Sequence, residues 1–288
     1  MNRMLSTTIG KNGTSIQSHT PLTNDQIFRV APSIFAQEAH DSRSDRYAYI
    51  PTSEVLQGLR NEGLMPFFAA QATSRIEGKT AFTKHMIRLR HVNDINKQDG
   101  ANEVILVNSH DGSSAYQLLA GYLRFVCQNG MVAGDIVENH KVRHTGSVQN
   151  DVIDVAYKVL DDLKMVDESR EGMMATTLNS AEQNILAKAA LGLRFGYTEN
   201  GELASPVAEW KALSPNRTAD QGNDLWRTFN RVQENLIKGG MRGRTQNNRR
   251  TTTREVQSVD GLVGLNRAMW TLAEEMKRLH DMGSLQHA

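Results

Sequence analysis

Two acid-free basic elements stand out in a chain whose charges otherwise nearly cancel. The first is IKGGMRGRTQNNRRTTTR, Ile237 to Arg254, which holds Lys238, Arg242, Arg244, Arg249, Arg250 and Arg254. The whole chain has a formal net charge of +1, which leaves the remainder at about −5. Guanidinium forks match phosphate geometry, and interleaved glycines let a backbone approach a ligand. The second element is KHMIRLRH. On a strand, Lys84, Met86, Arg88 and Arg90 share one face, and His85, Ile87, Leu89 and His91 share the other. Same-face residues repeat about every 6.5 to 7 Å. Phosphates along an extended single strand are spaced similarly, so the stripe can track a nucleic-acid backbone. Each element also has a plainer reading, the strand as a solvated sheet face and the loop as a charged connector. Such a loop is often disordered until a partner arrives. Two independent basic elements favour nucleic acid, and on one surface they would make a groove. If Arg88 and Arg90 instead pair with acids inside the fold, the loop stands alone and a protein partner becomes the better reading.

Other constellations are weaker. Unpaired bases stack on aromatic rings, so Tyr47, Tyr49, Tyr116 and Tyr122 are stacking candidates, against the plainer expectation that they fill the core. SHDG sets His110 beside Asp111, but neighbours on a strand point to opposite faces and make a poor dyad. Asp111-Gly112 reads better as a hairpin turn. ENHKVRH offers Glu138, His140 and His144 as a metal set. The two histidines share a face only on a helix, and Val142 beside a Gly146 loop argues against one, so no metal is expected. Glu138 and Lys141 lack the spacing of a restriction-type nuclease core. The sequence contains no P-loop, dinucleotide fingerprint, zinc cysteine cluster or G-x-S-x-G elbow. It reads as a binding protein without a cofactor rather than an enzyme.

The elements that must position these residues change character near residue 148. With 288 residues, 39% hydrophobic and 23% charged, the chain has an ordinary soluble composition and enough length for a real core. Residues 1–20 are polar, lack an apolar signal region and read as a flexible arm. No apolar run approaches the roughly 18 residues needed to cross a bilayer. Cys127 is the single cysteine, which excludes an intrachain disulfide, and together these features suggest the cytoplasm.

Residues 21–147 read as a strand-rich sheet region. A short helix capped by Thr23 or Asn24 should stop at Pro32, and a second should be capped by Ser53 and end at Gly63. MPFFAAQATSRI, AFTKHMIRLRH and a central EVILVNSH follow as strands. SAYQLLA should return as a strand that passes into a short helix ending near Asn129-Gly130. Residues 148–288 read as helices, one opened by a Ser180/Gln183 capping box, with the basic loop 237–254 between the last two. The expected fold class is α+β, an N-terminal antiparallel sheet with a few helices followed by a helical C-terminal part, with 21–288 forming one compact domain.

The segments PLTNDQIFRVAPSIF, SRSDRYAYIPT, TKHMIRLR, VNSHDGSSAYQ, VCQNG, NDLWRTFNRVQENLIKGG and LNRAMW, in that order, resemble the YafZ/YfjQ family over roughly residues 21 to 275. The resemblance implies a prophage or conjugative-plasmid setting, among genes for single-strand binding and anti-restriction proteins, and implies no settled activity. The leading expectation is ATP-independent binding of single-stranded DNA by a homo-oligomer, with strand annealing in plasmid or prophage DNA recombination. In outline this resembles the oligomeric annealing proteins of phages, without a motif match. The runner-up is an inhibitor that binds a host defence or restriction protein. A metal-dependent nuclease built on His140, His144 and Glu138 is weaker.

Overall fold

Alternation and capping chemistry decide the first half of the chain. We describe a computed structural model covering residues 5–9, 13–38, 49–72, 74, 76, 78–94, 100–124, 129–132, 140–142 and 148–285. The architecture is α+β, a mainly antiparallel sheet with a few helices followed by a helical part. The described residues group into two compact units. The first comprises residues 1–125, 137–164 and 257–260, and the second comprises 126–136, 165–256 and 261–288.

In the first unit, strands β1 (Leu5–Ile9), β2 (Gly13–Gln17), β3 (Leu64–Ala72), β4 (His85–His91), β5 (Gly100–Asn108) and β6 (Tyr116–Arg124) follow one another in an antiparallel meander. Strand β8 (His140–Val142) pairs with β6. Within residues 1–20, expected to be a flexible arm, Leu5–Ile9 and Gly13–Gln17 are strands of the sheet. Ile16 sits opposite Ala69 of β3 and is buried. Thr7, Thr8 and Thr14 are β-branched and suit an extended backbone.

Helix α1 (Asn24–Val30) starts where expected. Thr23 Oγ1 accepts from the Gln26 amide, and Gln26 Oε1 accepts from the Thr23 amide at 2.8 Å. Helix α2 (Thr52–Asn61) buries Val55, Leu56 and Leu59, but it is preceded by Pro51 without a side-chain cap, not by Ser53. The expected SAYQLLA strand continues to Arg124, so no helix begins before residue 125. Strand β5 is buried along its whole length, as its two apolar faces imply.

The second unit holds β7 (Asn129–Val132), the C-terminal end of α3 (Val148–Ala175), α4 (Ser180–Phe195), α5 (Glu209–Ala212), α6 (Leu225–Lys238) and most of α7 (Val259–Leu285). The capping box of α4 lies one residue earlier than expected. Asn179 Oδ1 accepts from the amides of Ala181 and Glu182, and Glu182 accepts from the Asn179 amide. Asp224 caps α6 by accepting from the Arg227 amide at 2.8 Å. Trp226, Phe229 and Trp270 form an aromatic core with centroids 5.8 to 6.2 Å apart. No helix among the described residues is long and apolar enough to cross a membrane.

Candidate nucleic-acid interface

The basic segment is an ordered hairpin, not the loop expected between the last two helices. Strands β9 (Arg242–Arg244) and β10 (Arg250–Thr252) pair antiparallel, with Arg244 opposite Arg250 and Arg242 opposite Thr252. Directly opposed residues share a face, so Arg242, Arg244 and Arg250 project together. The turn is closed by the Asn248 amide on the Thr245 carbonyl and the Thr245 amide on the Arg249 carbonyl. Asn248 takes a left-handed φ of 57°, which asparagine tolerates well. Arg244 Nη1 braces the turn by donating to Asn248 O at 3.0 Å and Oδ1 at 2.9 Å.

Helix α6 anchors the base of the hairpin. Gly239 ends the helix at φ 67°, and a Cβ there would meet the backbone carbon of Arg254 at 2.5 Å. Gly240 and Thr253 then pair through the Gly240 amide, and Thr253 donates back to the Met241 carbonyl. One edge of β9 docks on the preceding loop, where the Arg244 amide donates to Pro206 O at 2.8 Å. Gly243 is required at this contact, since a Cβ would fall 1.9 Å from Pro206 O.

Beside the hairpin stands a feature that the charge pattern did not reveal. Trp210 and Lys211 on α5 join Pro206–Ala208, Arg242–Arg244 and Arg250–Thr252 around a groove of about 770 Å³. Trp210 is 63% exposed, whereas Trp226 is 4% and Trp270 is 1% exposed. Lys211 Nζ lies 5.2 Å from the Trp210 ring centroid and donates to the Arg242 carbonyl. Asn235 on α6 holds this helix in place, its Nδ2 donating to Ala212 O at 2.8 Å and Ser214 O at 2.9 Å. Both walls of the groove are thus fixed to α6.

Electrostatics separate the expected basic residues into two groups. Arg242, Arg244, Arg249, Arg250 and Arg254 are exposed, and among the described residues no carboxylate pairs with any of them. Arg249 and Arg254 lie outside the groove lining. Lys238 differs, because its Nζ lies 2.8 Å from Glu234, four residues earlier on α6. Glu234 also accepts from Arg217 at 2.9 Å. Burial alone would raise the Glu234 pKa, but the bonds from Arg217 and Lys238 outweigh it and hold it low. Lys238 is therefore already paired with the buried Glu234, although its own side chain stays exposed.

The expected stripe on β4 is corrected. Arg88 is 7% exposed, Arg90 is 3%, and both grip Glu103 of β5, which is 1% exposed. Arg88 Nε lies 2.5 Å from Oε2 and Arg90 Nε lies 2.8 Å from Oε1. The Arg90 guanidinium also stacks 4.2 Å from the Phe67 ring centroid. Burial lowers the Arg88 pKa, and Glu103 opposes that shift. Lys84 is half-buried and bound to Asp260, at 2.7 and 2.8 Å. No member of the stripe is presented to a ligand, because the face that carries it is covered.

The other face of β4 joins a buried polar network. Thr52 Oγ1 is its hub, with His85 Nε2 at 2.9 Å, Asn108 Nδ2 at 3.0 Å, His110 Nε2 at 3.2 Å and the Tyr116 hydroxyl at 3.3 Å. Ser33 Oγ lies 2.9 Å from His85 Nδ1. Burial, and secondarily the neighbouring His110, push the His85 pKa down to about 3. His85 is therefore neutral near pH 7, and this network is structural. Asp111 and Gly112 do form the turn between β5 and β6, where Asp111 Oδ1 accepts from the Ser113 amide and Gly112 takes φ 77°.

The tyrosine candidates are also reassigned. Tyr116 and Tyr122 are buried, and Tyr49 stacks edge-on against His110 while donating to Ala36 O. Tyr47, Glu138 and His144 lie outside the described residues, as does the side chain of His140.

The fold is α+β, and its second unit carries a basic groove with an exposed tryptophan in its lining. The family model described as "Domain of unknown function (DUF932)" matches residues 39–270, and the chain belongs to this family. Two relatives from Escherichia coli (strain K12), UPF0380 protein YafZ and UPF0380 protein YfjQ, are each 48% identical over 261 residues, which is 91% of this chain and 93% of each relative. The YafZ/YfjQ resemblance is thereby shown. No solved structure matches the chain.

Proposed function

We propose that this protein binds single-stranded DNA without nucleotide hydrolysis, through the groove between the arginine hairpin and α5. One observation carries the reading: exposed arginines, unpaired with any carboxylate among the described residues, line one groove together with an exposed tryptophan and a lysine. Trp210 and Lys211 take the place of the β4 stripe as the second element that a nucleic-acid groove requires. Phosphates would pair with Arg242, Arg250 and Lys211, and Arg249 and Arg254 would extend the field beyond the groove. Annealing of complementary strands by a cytoplasmic homo-oligomer, in plasmid or prophage recombination, is the fuller form of this proposal.

A host defence or restriction protein with an acidic surface is the second reading. It is favoured by the internal pairing of Arg88 and Arg90, which leaves the hairpin as the main exposed basic element. Light-scattering mass with and without a single-stranded oligonucleotide separates the two. Oligonucleotide binding with growth into large assemblies supports annealing. An unchanged mass with no bound oligonucleotide, at low salt, rejects both annealing and DNA binding and favours the inhibitor.

A further inference from the structure

We infer that Trp210 is a base-stacking residue, and that the groove takes an unpaired nucleobase against its ring with the adjoining phosphate held by Lys211 and the hairpin arginines. This deepens the nucleic-acid reading above and rests on it.

The argument starts from cost. An indole at 63% exposure leaves a large apolar surface in water, while the other two tryptophans of this chain are buried. Trp210 is also fixed in place. Its helix is only four residues long, yet Asn235 ties its C-terminal carbonyls to α6, and Lys211 bonds to the hairpin backbone. Lys211 lies 5.2 Å from the ring centroid, yet most of the side chain stays exposed to a planar ligand. Every base has a π face, so this subsite would accept any base that is not already stacked in a duplex. Polar groups line the same groove as the ring: Arg242, Arg250 and Lys211 are cations, and Thr252 is a hydroxyl donor. A protein surface would satisfy the charges but would not require a flat exposed ring in the same groove as the cations.

The test compares two probes of equal charge, an oligothymidylate and an abasic sugar–phosphate chain of the same length, on the wild-type protein and on Trp210→Ala and Trp210→Tyr. Because Trp210 is exposed, its substitution should leave folding intact, which circular dichroism checks. The expected result is a wild-type preference for the thymidylate of roughly tenfold or more, lost in Trp210→Ala and kept in Trp210→Tyr, with the salt slope unchanged. Equal affinity of the wild type for both probes overturns stacking while leaving phosphate binding in place. A preference that persists in Trp210→Ala also overturns it, since another residue then holds the base. Binding of neither probe overturns both this inference and the function it rests on.

Discussion

Arg244 and Arg250 face each other directly across the β9–β10 hairpin, two like charges on one face with no carboxylate among the described residues paired to either. Opposed like charges weaken a strand pair. Fold stability does not require this arrangement, and a bound polyanion would relieve it. Added salt should therefore modestly stabilise the free hairpin against local opening, read as slower exchange of the cross-hairpin amides of Thr245 and Thr253. If exchange there is independent of salt, the repulsion has no energetic weight.

Binding should be steeply salt-dependent. With about four phosphate contacts, affinity for a single strand should fall with a log–log slope near −3. Replacing Arg242, Arg249 and Arg250 with Ser should flatten the slope by roughly 2 and leave the thermal midpoint nearly unchanged, since no buried atom is removed. A triple variant that binds with the wild-type slope would place the contacts elsewhere.

Substitution on β4 should behave in the opposite way. Glu103→Gln leaves the buried Arg88 and Arg90 without a countercharge, a loss of about 3–5 kcal/mol for a broken internal pair. Denaturant midpoints should fall accordingly, while oligonucleotide affinity per folded molecule stays at the wild-type value. A stable Glu103→Gln protein with weakened binding would return the stripe to the site.

Gly243→Ala tests whether docking of the hairpin matters. Its Cβ cannot coexist with Pro206 O at 1.9 Å, so β9 must lift from the 206–208 loop and widen the groove. Affinity should drop by roughly tenfold, equivalent to about 1.4 kcal/mol, with helix content intact by circular dichroism. Unchanged affinity would show that the two walls act independently.

Acid should unfold the first unit through His85. Its folded pKa of about 3 lies below the ordinary 6.5, so the unfolded chain binds the extra proton. Stability from this group is complete above about pH 6.5 and is lost as pH falls towards 3, at up to about 1.4 kcal/mol per pH unit. In His85→Asn the pH slope of the unfolding free energy across that window should shrink by about one proton. An identical slope in the variant would mean that His85 is not the titrating group.

Local chemistry made much of the fold legible. Thr23 with Gln26 marked a helix start, Gly239 marked a helix end, and the apolar run at 103–108 marked a central strand. The α4 cap was displaced by a residue to Asn179, and α2 opens after Pro51 with the expected cap Ser53 already inside the helix, while Thr52 serves the His85–His110 network. The stripe misled because alternation shows which residues share a face but not whether that face is covered. The available signal was Glu103, an acid in a strand apolar on both sides, which needed a buried cation. Trp210 and Lys211 were missed because four residues of helix carry no period to read, and their approach to the hairpin depends on contacts far apart in sequence.

The Arg88–Glu103–Arg90 cluster bears on how the sheet finds its pairing. Strand β5 carries an apolar run from Val104 to Val107, and a run of this kind can slide past its neighbour. A slip of one residue would turn both guanidiniums away from Glu103 and strand three charges in a dry interior. Only the alignment that sets Leu89 against Val104 lets all three meet. The cluster works as a key, making misaligned sheets too costly to persist, and during folding it selects one pairing from several that hydrophobicity alone would tolerate.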